Sequence, residues 1–122
     1  MQELTPTTYA VTRADLVAYA EASGDHNPIH QDPDVARSVG LPDVIAHGMF
    51  TLALVARYVD EQLGEPGRIA ELGAKFTKPV VVPADGTEVQ ITGEWRDERT
   101  LRLTVSCGDE TVLGNPTAVL RG

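Results

Sequence analysis

Aromatic residues are scarce in this 122-residue chain: one Trp, three Tyr and two Phe make up 5% of it. Aliphatic side chains must therefore fill the core. Cysteine is nearly absent, and Cys107 alone can form neither an internal disulfide nor a structural zinc site. A reducing compartment is the simplest reading. Basic residues are few, 10 Lys and Arg against 18 Asp and Glu, for a net charge of −8. Binding to nucleic acid or an anionic membrane draws on clustered Lys and Arg, so this balance disfavours both partners. No run approaches the ~18 uninterrupted apolar residues of a membrane span. Residues 1–10 lack the basic and apolar stretches of a secretory signal. There is no repeat with a period of about 20–50 residues and no low-complexity tract. The expectation is one soluble, cytoplasmic domain over residues 1–122. At this size an isolated domain buries only ~65% of its unfolded surface, which makes oligomer formation a useful source of further burial.

Residues 2–11 are polar and Thr-rich, consistent with a short leading strand or arm. Thr12 followed by Asp15 is a weak capping box. It predicts a helix through Glu21 with Leu16, Tyr19 and Ala20 on one side, stopped at Ser23-Gly24. Pro28 biases Asn27 away from helix, so residues 25–31 read as a loop. Asp32-Pro33 has the pattern of an N-cap with proline at the first helical position, opening a short helix that ends at Gly40. From His47 to Leu63 the chain is apolar on nearly every helical face, which predicts a buried helix stopped by Gly64. Beyond Gly67 the period changes to that of strands, over 69–78, 87–96, 100–107 and 111–120. Asp85-Gly86 and Gly108-Asp109 supply turns between them. Pro79 and Pro83 suggest an irregular or edge portion, and Pro116 an edge position or a bulge. The fold class that accommodates this order is α+β, an antiparallel sheet curled around the 47–63 helix.

Two short segments could carry chemistry. Asp25, Asn27 and His30 share a proline-stiffened loop. A carboxylate and an imidazole held close together form an acid–base pair, and Asn27 could hold a water or orient a partner. Ala46-His47-Gly48-Met49 lies where the long helix begins. Free amides and the helix dipole there stabilise developing negative charge, and Gly48 lets a carbonyl approach the backbone. Taken singly, these residues have blander readings. An Asp after Gly is commonly a turn residue, and His30 alone reads as a surface or capping histidine. His26 and His30 are four apart, but Pro28 spoils the helical geometry of a metal pair, so no metal is expected. His47 reads as structural and receives no chemical step. Cys107 reads as inert core. Lys75 and Lys78 read as a solvated strand face, although a basic rim could meet a phosphate.

Taken together, Tyr19-Ala20-Glu21-Ala22-Ser23-Gly24-Asp25-His26-Asn27-Pro28-Ile29-His30 and Ala46-His47-Gly48-Met49 resemble the MaoC-like, R-specific enoyl-CoA hydratase family (hydratase 2). The likeness runs from about Val11 to Leu120 and is nearest to small single-domain members that act as 3-hydroxyacyl-thioester dehydratases in actinobacteria. The resemblance implies a hot-dog fold, an antiparallel sheet wrapped around one long helix. It implies a dimer in which two sheets join, as a homodimer or with another hot-dog subunit. It makes Asp25 and His30 the catalytic pair, Asn27 a positioning residue, and the Gly48 N–H the oxyanion donor. The substrate would be a trans-2-enoyl thioester of coenzyme A or acyl carrier protein, hydrated to the (R)-3-hydroxyacyl thioester or formed from it. No cofactor is implied, because the thioester itself acidifies the α-proton. Two alternatives stand beside this reading: a hot-dog thioesterase, and a non-catalytic subunit that supports a catalytic partner.

Overall fold

The computed structural model of the chain describes residues 3–121. The leading segment forms a strand, β1 (Thr7–Val11). Thr12 then caps α1 (Arg13–Ser23) with a complete capping box, its side chain accepting from the Asp15 amide while the Asp15 carboxylate accepts from the Thr12 amide. The helix buries Leu16 and Ala20 and stops at Gly24, whose φ of 78° is the left-handed conformation glycine adopts without strain. A single 3₁₀ turn, Pro28–His30, leads to α2 (Pro33–Ser38), capped by Asp32. The long helix α3 (Gly48–Leu63) follows, then β2 (Ile69–Phe76), β3 (Thr87–Trp95), β4 (Thr100–Cys107), the two-residue β5 (Glu110–Thr111) and β6 (Leu113–Leu120).

The strands form one antiparallel sheet in the order β1-β3-β4-β6-β2, with β5 paired to β4. A single core joins Leu54, Val55, Tyr58 and Val59 of α3 to Leu16 of α1 and to apolar residues of the sheet such as Val89, Ile91, Leu101, Val105 and Leu120. This is the α+β arrangement the resemblance implied, a hot-dog sheet about one long helix. No helix among the described residues is long and apolar enough to cross a membrane.

Two expectations change, and for Pro116 the bulge is chosen over the edge. The stretch 111–120 is two strands, because Val112 leaves the β6 line to donate its amide to Val105. Pro116 is on no edge, since β6 lies between β4 and β2. It sits in a bulge: Gly73 pairs with Thr117 and Lys75 with Gly114, so Ala74 opposes both Asn115 and Pro116. Asn115 takes a φ of 47° to make the extra residue fit. Finally, α3 is buried along one stripe, not all round. Thr51, Leu54, Val55, Tyr58 and Val59 are enclosed, whereas Met49 is 58% exposed and Ala53 and Arg57 also face out. One sheet covers one side of a helix, so apolar composition alone did not place the outward face.

Candidate active site

The loop between α1 and α2 is built by its own side chains. Asp25 accepts from the Asn27 amide at 3.2 Å, and Asn27 accepts from the Ile29 amide at 3.2 Å, which caps the 3₁₀ turn. His30 closes that turn and is buried, while Asp25, His26 and Asn27 are exposed. The His30 Nδ1 lies 2.7 Å from the Ile45 carbonyl. A carbonyl only accepts, so Nδ1 donates its hydrogen there and Nε2 carries the free lone pair. Ile45 in turn donates its amide to the Ile29 carbonyl at 3.1 Å, locking the loop to the approach of α3.

That approach is held by a second segment, residues 80–82. Ile45 and Val81 form an antiparallel bridge, with Ala46 donating to Val80 at 2.9 Å and Val82 donating to Val44 at 2.8 Å. The chain then turns into α3 at His47 and Gly48. The amides of Gly48 and Met49 have no acceptor among the described residues, as befits the first turn of a helix. They point with the helix dipole at whatever lies beyond. Gly48 has a steric reason to be glycine: a Cβ there would stand 3.1–3.2 Å from three carbons of the Phe76 ring.

These pieces converge. A carboxylate oxygen of Asp25 and one ring nitrogen each from His30 and His47 all lie within 4.8 Å of one another. His30 and Gly48 line a cavity of about 340 Å³, whose walls include the apolar Ile45, Val80, Val112 and Leu113. Asp25 lines a neighbouring cavity of about 390 Å³, with Tyr19 and Met49. Gly48 and Phe76 border both, so the acid and the base line adjacent chambers on either side of the helix start. Volumes of this size suit a small organic ligand. The donor set does not fit a metal ion. The His30 and His47 rings are stacked at 3.8 Å with planes 22° apart, so an ion in the plane of one ring lies well out of the plane of the other and cannot take an in-plane lone pair from both at the ~2.0–2.1 Å that zinc requires.

A family model described as MaoC like domain matches residues 2–112. The chain belongs to the MaoC-like family. It is similar to 3-hydroxyacyl-thioester dehydratase X of Mycobacterium tuberculosis, with 39% identity over 92 residues that cover 75% of this chain and 32% of that protein. It is also similar to 3-hydroxybutyryl-CoA dehydratase of Methylorubrum extorquens, 33% identical over 114 residues, covering 89% and 72% of the two chains. The solved (R)-hydratase of A. caviae involved in PHA biosynthesis superposes with a TM-score of 0.83 at 27% identity, covering 98% of this chain and 93% of that one. The chain spans about a third of the length of the first of these relatives.

In this MaoC-like domain the residues singled out in sequence take distinct places. Asp25, His30 and Gly48 come together around one helix start. Asn27 is adjacent but spends its side-chain oxygen on the Ile29 amide. Cys107 is half-buried, its sulfur 3.4 Å from the Thr87 hydroxyl, and lines neither cavity. Lys75 is solvated, whereas Lys78 lines the His30 cavity and pairs with Glu110 at 3.8 Å. One residue that borders both cavities escaped sequence reasoning, and another reads there only as structural. Phe76 looked like one member of an alternating strand. His47 reads in sequence as a structural helix-start residue, although it belongs to the Ala46-His47-Gly48-Met49 segment that carries the resemblance.

Proposed function

We propose that this MaoC-like domain hydrates trans-2-enoyl thioesters to (R)-3-hydroxyacyl thioesters and runs the reverse dehydration. The reading rests on one observation: the Asp25 carboxylate and the His30 ring meet within 4.8 Å beside the unpaired amides that open α3. The names of the similar dehydratases and of the (R)-hydratase point to the same chemistry. In this mechanism the apolar cavity holds the acyl chain and the thioester oxygen takes the Gly48 N–H. Asp25 and His30 share one water. As its oxygen bonds to the β-carbon, the pair takes the proton, with His30 Nε2 as the free acceptor. The displaced π electrons collect on the thioester oxygen as an enolate, stabilised by the amide and the helix dipole. The pair then returns a proton to the α-carbon. Dehydration retraces these steps. Asn27 keeps the loop in shape through its cap, and the thioester supplies all the activation a cofactor would otherwise provide.

The working unit in this proposal is a dimer. Strand β2 is a free sheet edge, and Phe76 and Met49 beside it are 57% and 58% exposed. A second hot-dog chain pairing there would cover both residues and enclose the site. The test is hydration of crotonyl-CoA, followed by loss of enoyl absorbance and by chiral analysis of the product. The expected product is the (R)-alcohol, and Asp25→Ala and His30→Ala each lower kcat by about 10²–10⁴-fold. Wild-type rates in both folded variants overturn the assigned roles. Thiol release without enoyl loss makes the protein a thioesterase instead. Sedimentation of the same sample should report a homodimer; a monomer active only with a second hot-dog chain replaces that with a heterodimer.

A further inference from the structure

The mechanism above leaves one buried, ionisable ring at the site without a task. His47 is 2% exposed. One face stacks on His30 at 3.8 Å and the ring also packs against Tyr19, with centroids 4.8 Å apart and planes tilted by 57°. Its Nε2 lies 3.0 Å from the backbone carbonyl of Asp25. Since a carbonyl only accepts, Nε2 carries the hydrogen and Nδ1 the lone pair. That Nδ1 is sealed from solvent and has no partner among the described residues. A buried acceptor left unpaired is costly, and a Phe or Leu would fill this position without it. The imidazole therefore does something here that apolar packing cannot, and its one polar contact is the N–H to Asp25.

We propose that His47 is the positioning residue of this site, clamping the Asp25 loop with its N–H and backing the His30 ring with its face. The inference rests on the hydration reading. His47 also occupies the N-cap position of α3, without a side-chain capping bond, and directly precedes Gly48, so one residue ties the backbone of Asp25, the His30 imidazole and the Gly48 amide to one another. His47 borders the Asp25 cavity but offers it no free polar atom, since Nε2 is held by the Asp25 carbonyl and Nδ1 is sealed from solvent, which separates positioning from proton transfer. Acid, base and oxyanion donor must hold their spacing to a fraction of an ångström, and about 1 Å of slack can cost a hundredfold in rate.

Three variants separate the two contacts. His47→Phe keeps the stacking faces and removes the N–H. His47→Gln keeps an N–H within reach of the Asp25 carbonyl and removes the stack. His47→Ala removes both. Against crotonyl-CoA, Phe and Gln are each expected to lower kcat about 10–100-fold with KM within about twofold of wild type. Gln should retain about ten times the kcat of Ala, a rescue that a purely space-filling role would not produce. If Ala does not fold, Phe and Gln decide the matter alone. A folded His47→Phe with wild-type kcat overturns the proposal, and so does a KM that rises in step with the loss. A wild-type protein that hydrates no enoyl thioester sinks the hydration reading instead, so the two failures are distinguishable.

Discussion

Gly48→Ala should separate stability from activity. The position lies in the first turn of α3 with no left-handed φ, so alanine can adopt its backbone conformation. The new methyl would stand 3.1, 3.2 and 3.2 Å from carbons of the Phe76 ring, where ordinary contact begins at 3.4 Å. The ring must therefore withdraw by 3.4 − 3.1 = 0.3 Å or slightly more. Phe76 is 57% exposed and at a sheet edge, so it can do this at little cost. Against that cost stands the gain of alanine over glycine, at most roughly the 0.5–1 kcal/mol of a mid-helix position because Gly48 opens α3. The net change in folding stability should fall within about 1 kcal/mol, or about 4 °C in Tm for a chain of this size. Activity should behave differently. The methyl and the displaced ring crowd the space where the thioester oxygen must approach the Gly48 amide. Losing one oxyanion donor costs about 10²–10³ in kcat, so kcat in crotonyl-CoA hydration should fall by about that much. Thermal unfolding and steady-state kinetics on one preparation check both halves. A folded Gly48→Ala with wild-type kcat refutes the oxyanion role of this amide. A variant that does not fold refutes the claim that Phe76 yields.

Asp32→Ala removes a cap that accepts from the Asp34 amide at 2.9 Å and the Val35 amide at 3.4 Å, and should cost about 1 kcal/mol in urea unfolding with an unchanged m-value. An unmoved midpoint would mean that α2 is held by packing alone. Tyr9 governs the alkaline side. Burial first, then the hydrogen bond to the Glu61 carboxylate and its charge, raise its phenol above the ordinary range. The folded chain thus keeps a proton that the unfolded chain releases near pH 10. The resulting stability is complete below about pH 10 and drains away as pH rises past it. Tyr9→Phe should cost about 1–3 kcal/mol at neutral pH and flatten the loss of stability above pH 10. Parallel alkaline profiles for the two proteins would show that the phenol contributes no linkage.

What could be read in the chain was local. The Thr12–Asp15 box, the Asp32 cap and the stops at Gly24 and Gly64 each join atoms a few residues apart, so residue order alone specifies them. The loop motif and the helix that begins at Gly48 were legible for the same reason, as was the change to strand period after Gly67. Tertiary structure decided everything that needed distant partners. His30 takes its tautomer from a carbonyl 15 residues away, and His47 meets Asp25 across 22 residues. The start of α3 is steadied by Val80 and Val82, and Gly48 is kept bare by Phe76. The outward face of α3 and the bulge at Pro116 depend on which strands flank them. An amino-acid order states which side chains can make a hydrogen bond or fill a core. Only the closing of the sheet around the helix brings a particular donor within 3 Å of a particular acceptor, and the chemistry proposed for this site depends on those distances.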